Sequence, residues 1–531
     1  MTAYILTYDV GTTGIKTCLF QLKEKIKLIK SATSGYKLYT FEDGGAEQNP
    51  NEWWEAMCKT TKHIFSECDI KPDMISGISF CSQMQSVVLV DKDGNAVRNS
   101  MSYMDQRSKE EIKKGMAHGI QIANANIFKL IKSLYITGAV SASVKDPVWK
   151  YKWIEAHEKE NFDKAYKWLD VKEYLIARAT GEFVMTEDSA WATLTCSIRG
   201  EKVKWSDSMI KMFGIKKEHL AKIVKSTDKV GVISAKAAAE LGLKEGTAVF
   251  GGGGDASLIG VGAGATNVGD THIYSGTSGW VGTVTNKSIV DVATMIAAIV
   301  GAQSGKYLFF AEMETSGKCL EWVKNHLALD EIDIYLDKHD VTENIESQYT
   351  SLYDYMMDTI KDITPGCKGV IFTPWLHGNR CPFEDPLAKG MFFNFSLETG
   401  KRYLIRAVLE GICYHKRWML ESQERKVKTS DPIRFVGGGA ISPITCQILA
   451  DILGRTIETV QSPQNVGAVG AAAVVGVGLG IIPSLNKVKD FVPVEKVFTP
   501  DLTKKTIYDK NFEVFKNLYK SNKQNFKMLN K

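Results

Sequence analysis

Short β-rich runs alternate with longer stretches of helical apolar spacing along most of the chain. Tyr4 to Tyr8 is β-branched and aromatic and leads into Gly11-Thr12-Thr13-Gly14, after which Ile15 to Leu22 resumes the same character. That pattern predicts strand, tight turn, strand. Met74 to Phe80 and Val87 to Asp91 read as further strands, whereas Asn49 to Phe65 and Trp168 to Thr180 carry apolar residues at helical intervals. Ala248 to Phe250 and Ile433 to Val436 are short apolar strands that run into Gly251 to Gly254 and Gly437 to Gly439, and a helix pattern opens after Ser442-Pro443. Such alternation predicts an α/β fold.

One phrase occurs twice. Gly11-Thr12-Thr13-Gly14 is echoed by Gly276-Thr277-Ser278-Gly279, again behind a tyrosine-bearing strand and ahead of another. Their separation is far beyond a solenoid period of about 20–50 residues and points to duplicated domains. The division is expected near residue 245, giving units 1–245 and 246–531. A length of 531 residues alone allows two to four domains; the repeat narrows that to two.

Composition removes several classes of function. With 44% hydrophobic and 24% charged residues the chain is expected to fold rather than stay disordered. The 66 Lys and Arg nearly balance 61 Asp and Glu without a basic block, which argues against dedicated nucleic-acid binding. Ten cysteines never fall at C-x-x-C spacing, so buried thiols in a reducing compartment are expected rather than disulfides or zinc. The start reaches Asp9 without a basic and then apolar signal, and a cytoplasmic protein is the expectation. Thr459 to Asn486 is uncharged and long enough to span a membrane, but its Gly, Ala and Val content reads as a buried small-residue helix, with no membrane partner.

The glycine junctions carry the candidate chemistry. Gly11, Thr12 and Thr13 can wrap backbone N–H groups and hydroxyls around phosphate oxygens, with Asp9 placed to hold Mg²⁺ through water; the bland alternative is a hairpin turn. Gly276, Thr277 and Ser278 offer the same chemistry from the second copy. Four consecutive glycines weaken a strand end unless something must come close, and Asp255 behind them is either a general base toward a substrate hydroxyl or a helix N-cap. Gly437 to Gly439 either admits a flat purine or makes a tight βα turn. Neither a P-loop nor a G-x-G-x-x-G fingerprint is present, the nearest string around Gly301 to Lys306 having the wrong spacing.

Together these segments resemble the FGGY carbohydrate kinases, and most closely their xylulose kinase branch. The carrying phrases are DVGTTGIK at 9–16, EQNPNEWWEA at 47–56, SYMDQRS at 102–108, GGGGDAS at 251–257, YSGTSGWV at 274–281, TPWLHGNRCPFEDPLAKGMFF at 373–393, IRAVLEGICY at 405–414 and VGGGAISPITCQILADILG at 436–454. The resemblance implies two actin-like, ribonuclease H-like domains flanking a deep catalytic cleft. It implies Asp255 as the general base, Asp9 with Asp255 at Mg²⁺, and ATP held by Gly11, Thr12, Thr13 and Lys16 from one side. Gly276, Thr277 and Ser278 would approach from the other side, and Gly438 and Gly439 would face adenine.

On the sugar side the implied contacts are Gln83, Met84, Gln85, Asp105, Arg107 and Asp255. Gln85 and Ser86 stand where similar xylulose kinases have His and Gly, which changes the hydroxyls that can be read. Lys16 replaces a common Arg, Cys381 a usual Thr and Asn394 a usual Gly. Asp105 and Arg107 have an alternative reading as a surface ion pair. The implied reaction is ATP-dependent phosphorylation of a sugar, D-xylulose first and another ketose, polyol or sugar acid next, by an enzyme that is a homodimer if it follows similar kinases. A nucleotide-driven actin-like switch with little sugar chemistry is the reading from a different class.

Overall fold

The computed structural model describes residues 2–117, 119–122, 125–200, 202–328 and 352–531, and within them two sheets repeat one plan. In the first sheet Ala3–Val10, Gly14–Leu22 and Ile26–Gly35 run antiparallel in sequence order, and Ile75–Ser82 lies parallel on the other side of Ala3–Val10. Ala248–Phe250 follows parallel to Ile75–Ser82, and Lys229–Val232 closes the edge antiparallel. The second sheet has the same order and senses: Tyr307–Met313, Gly279–Thr285, Thr271–Ser275, then Ile433–Val436 and Ile457–Val460 in parallel, with Val494–Phe498 antiparallel beyond them. Thus the two Gly-Thr-(Thr/Ser)-Gly phrases are equivalent hairpin turns of equivalent sheets, the duplication expected of two actin-like domains.

Local chemistry explains the elements. Ala3–Val10 and Gly14–Leu22 are buried over most positions on both faces and are built mostly of apolar and Thr residues, with Asp9, Lys16 and Gln21 as the exceptions. Ile26–Gly35 alternates toward solvent and exposes Lys27, as suits an edge with only Gly14–Leu22 as its neighbour. The Pro50–Ser66 helix starts with Asn49 accepting from the Asn51 N–H and Pro50 at its first turn, and buries Trp53, Trp54, Met57, Thr61 and Ile64. Thr61 and Thr60 bond Tyr8 (2.9 Å) and Thr17 (2.7 Å) on the sheet.

One predicted helix starts late. Trp168 lies in the strand Lys167–Leu169, paired with Val88–Val90, and the helix runs only over Val171–Thr180 behind an Asp170 cap. Apolar residues flank the junction on both sides, and Asp170 between Leu169 and Val171 marks the change from extended to helical backbone.

The uncharged stretch at 459–486 contains the helix Val466–Gly478, buried from Val466 to Gly476. It packs on the first sheet and against the helix Asp255–Gly262. The two helices touch backbone to backbone: a Cβ at Gly262 would lie 1.8 Å from the Val466 carbonyl oxygen, and one at Gly470 would lie 2.2 Å from that of Leu258. Side chains of both halves share this core, among them Ile5, Phe20, Leu258, Trp280 and Val469. No helix among the described residues is long and apolar enough to cross a membrane.

Candidate active site

Asp9 stands at the end of the first strand, in register with Lys16 on one side and Cys81 on the other. Burial pushes its carboxyl above the usual range, against the pull of Lys16. The first turn of the 466–478 helix lies against it, since a Cβ at Gly467 would stand 3.1 Å from Asp9 Oδ2. Positive potential at a helix start favours a carboxylate there. Lys16 Nζ donates to Asn465 Oδ1 at 2.9 Å and to the Gln464 carbonyl at 3.3 Å, which ties the first hairpin to the loop ahead of that helix.

The hairpin turn itself is well anchored. Gly11 N–H donates to Gly14 O, and Tyr36 OH donates to the carbonyls of Gly11 (2.5 Å) and Gly14 (3.0 Å). Gln83 Nε2 donates to Gln48 Oε1 at 2.8 Å, and Gln48 Nε2 to Thr12 O at 2.6 Å, so a buried relay joins the predicted sugar loop to the predicted phosphate turn. Gln83 Oε1 is buried without a hydrogen-bond partner among the described residues. Thr13 is exposed and Thr12 half-buried, with the Thr12 hydroxyl 3.2 Å from Tyr103 OH.

The four glycines are crowded from four sides, and the crowding comes from the protein itself. A Cβ would stand 2.8 Å from Lys225 O at Gly251 and 2.2 Å from Phe80 O at Gly252; at Gly253 it would stand 3.1 Å from Asp188 Oδ2, and at Gly254 2.0 Å from Met84 Sδ. The run then pairs Gly253–Gly254 with Cys81–Ser82. Gly254, not Asp255, occupies the N-cap position of the 255–262 helix, so the N-cap reading of Asp255 is corrected. Asp255 Oδ1 accepts from Ala256 N at 2.7 Å, while Oδ2 has no hydrogen bond among the described residues. Burial first, then the charges of Asp9, Glu312 and Asp188, push its carboxyl up to about 7.

Across the gap, Thr277 is exposed at the second turn, and the turn is pinned by Ser316 N and Lys318 N donating to Thr277 O and by Gly317 N donating to Gly276 O. Ser275 and Ser316 share a hydroxyl bond of 2.8 Å. Tyr274 stacks on Trp280 at 4.0 Å and feels the charges of both Asp9 and Asp255, so the second hairpin faces the same space as the two acids. Gly438 opens onto free space, whereas Gly439 packs against Ser275, a Cβ there meeting its side chain at 2.8 Å.

On the sugar side, Met84 overlies Gly254 beside Asp255. Gln85 adopts φ 65°, and its backbone is clamped: its N–H donates to Asp170 Oδ2 at 2.8 Å and its carbonyl accepts from Lys150 Nζ at 2.5 Å. The surface-pair reading of Asp105 and Arg107 is corrected. Asp105 is fully buried, accepting from Ala46 N and Arg107, and Arg107 also reaches Glu47 at 2.6 Å and lies 4.3 Å over the Trp153 ring.

Sequence reasoning missed Tyr103, Tyr274, Glu312 and Arg380. Tyr103 senses Asp255, Glu312 and Glu314, and Arg380 pairs with Glu312 at 2.8 Å. Tyr103 sits in SYMDQRS and Tyr274 is the tyrosine of the repeated phrase, so both had a signal; Glu312 is a lone acid within a strand and had none.

Residues 4–262 match the FGGY family of carbohydrate kinases, N-terminal domain, and residues 272–479 match the FGGY family of carbohydrate kinases, C-terminal domain. The chain is 28% identical over 505 residues to a gluconokinase of Bacillus subtilis, covering 94% of this chain and 92% of that protein. It is 26% identical over 521 residues to a xylulose kinase of Staphylococcus epidermidis, covering 98% and 97%. A ligand-bound xylulose kinase structure from Lactobacillus acidophilus superposes with a TM-score of 0.84 at 24% identity, over 99% of each chain.

Proposed function

The chain belongs to the FGGY family of carbohydrate kinases, and from that premise we propose that it transfers the γ-phosphoryl group of ATP to a hydroxyl of D-xylulose, with Asp255 as general base. The observation that carries this reading is the half-buried Asp255 carboxylate, with Oδ2 unbonded among the described residues and with Asp9 and Tyr274 within electrostatic reach. A base poised near neutrality suits abstraction of a hydroxyl proton.

In this reading the sugar oxygen attacks the γ-phosphorus, its proton passes to Asp255 Oδ2, and ADP leaves. The Gly11 to Thr13 turn and the Gly276 to Ser278 turn present backbone and hydroxyl groups to the phosphates, and the open backbone at Gly438 receives the adenine. Phosphoryl transfer asks the protein mainly for positioning and charge, and two anchored turns on facing domains suit that demand. Asp9 and Asp255 would hold Mg²⁺. No group of three or more metal-ligating side chains occurs among the described residues, and neither acid forms an ion pair there, so a Mg²⁺ ion would take two carboxylates and leave its remaining positions to phosphate and water. When bound, Mg²⁺ supplies charge to the phosphate oxygens. All ten cysteines are free thiols, all but Cys58 and Cys68 buried, which supports a cytoplasmic setting.

The named relatives include both xylulose kinases and gluconokinases. Charge favours the neutral ketose. Asp255, Glu312 and Glu314 bring three acids near Tyr103, and Glu312 is met by the Arg380 ion pair and the charge of Lys145. A sugar acid would add a further anion there, at a cost that only extra cations could offset. In an ADP-release assay across ketoses, polyols and sugar acids, D-xylulose is expected to give the highest kcat/KM. A higher value for gluconate would overturn this choice of sugar. Tyr103→Phe removes the bond to Thr12 and is expected to raise the KM for ATP by about two- to tenfold, the scale of one hydrogen bond; steady-state kinetics reads it directly.

A further inference from the structure

Behind the glycine run lies a charged cluster that the reaction as described does not use. Lys172, Glu173 and Asp188 all have side chains with no exposure, and Lys172 Nζ lies 2.5 Å from Glu173 Oε1 and 4.0 Å from Asp188 Oδ1. Lys172 also bonds Ser189 Oγ. Asp188 Oδ2 accepts from Gly254 N at 2.8 Å, while Oδ1 accepts from Ser189 N at 2.9 Å and from the Thr186 hydroxyl. Against the effect of burial, Lys172 and these hydrogen bonds hold Asp188 below the usual carboxylate range. Three charges this deep are retained at a large desolvation cost unless they are paired and bonded, and a hydrophobic filling would hold the core as well.

What the cluster touches is the residue immediately before Asp255. Gly254 has no side chain to fix its orientation, and Met84 occupies its other face. Its N–H direction sets where the 255–262 helix begins, and therefore where Asp255 Oδ2 points. We propose that Asp188, held in place by Lys172, is a positioning residue for phosphoryl transfer, fixing the Gly253–Gly254 backbone so that Asp255 faces the acceptor hydroxyl.

The inference rests on Asp255 being the base, so the experiment separates the two. Asp188→Asn keeps the shape and one acceptor oxygen but removes the charge that faces Lys172. It is expected to lower kcat for sugar phosphorylation by about 10- to 100-fold, with the KM for sugar and ATP within about threefold, since a misaligned reacting group loses turnover before binding. The sharper readout is non-additivity: Asp188→Asn placed on Asp255→Asn is expected to cost less than about twofold more, because residues acting as a unit fail together. Full additive loss, which a general structural role predicts, would overturn the proposal, as would a parent-like kcat in Asp188→Asn. Should Asp188→Asn fail to fold, Thr186→Val removes the hydroxyl bond to Asp188 and a longer one to Glu173 Oε1 at 3.3 Å while leaving all three charges in place, and a kcat loss of about three- to tenfold with the same non-additivity is expected; a parent-like kcat there would also overturn it. If Asp255→Asn itself keeps its activity, the base assignment fails and the positioning role with it. If only the Asp188 and Thr186 variants behave as the parent, the base stands and the positioning role falls.

Discussion

Asp255→Asn is expected to lower sugar-dependent turnover by about 10²- to 10⁴-fold while leaving ATP affinity within about threefold of the parent. The amide matches the carboxylate in size and keeps an oxygen for the Ala256 N–H, so the start of the 255–262 helix is undisturbed. What disappears is the ability of Oδ2 to take a proton. The groups that would meet the nucleotide directly lie on the two turns and at Gly438, and although Asp255→Asn also weakens one of the two carboxylates that would hold Mg²⁺, Asp9 remains for it. Isothermal titration with a non-hydrolysable ATP analogue, beside a stopped-time assay of sugar phosphate, separates the two effects. Loss of nucleotide affinity in parallel with turnover would assign Asp255 to ATP binding instead.

Gly470→Val is expected to be among the most damaging single changes away from the reacting groups. The new Cβ would sit 2.2 Å from the Leu258 carbonyl, a backbone atom that cannot rotate aside, so the 255–262 and 466–478 helices must part. Overpacking of this kind costs about 3 kcal/mol when backbone has to move, and a fall in Tm of roughly 6 °C or more follows for a domain of this size. These helices also carry Asp255 at one start and lie against Asp9 at the other. Activity of the surviving folded protein is therefore expected to fall by at least about tenfold, because small misplacements of reacting groups are amplified in rate. Scanning calorimetry with an activity assay on the same sample checks both. A parent-like Tm would mean that the crossing is looser than the backbone contact requires.

Much of this architecture was legible in the residue order. Gly11-Thr12-Thr13-Gly14 and Gly276-Thr277-Ser278-Gly279 announced two equivalent hairpins because turn chemistry is local, and strand and turn need no distant partner to be recognised. The buried helix at 466–478 was legible for a similar reason: small apolar residues without charge have few other places to go. The Gly251 to Gly254 run signalled that something approaches closely. It did not say what, and the visitors are Lys225, Phe80, Asp188 and Met84, brought there by tertiary packing.

Buried charge was the opposite case. Lys150, Lys172, Asp105 and Asp188 look like surface residues on any local criterion, since Lys and Asp are rarely buried unless paired. Their pairing runs between segments far apart in the chain, as in Asp105 with Ala46 and Asp188 with Gly254. Trp168 shows the same limit at an element boundary, where an apolar run serves strand and helix equally until Asp170 divides them. The identity of the sugar belongs here too. It depends on which side chains would converge on the acceptor, and Glu312 comes within electrostatic reach of Asp255 from a strand of the second sheet with no motif to mark it.

Transfer of a phosphoryl group to a sugar can be watched in a single sample by phosphorus NMR of the reaction mixture. With Mg²⁺, ATP and D-xylulose, the γ-phosphate signal of ATP is expected to decline while ADP and a single sugar monophosphate ester grow in equal amounts. ADP accompanied by inorganic phosphate, at a rate indifferent to every sugar added, would contradict it.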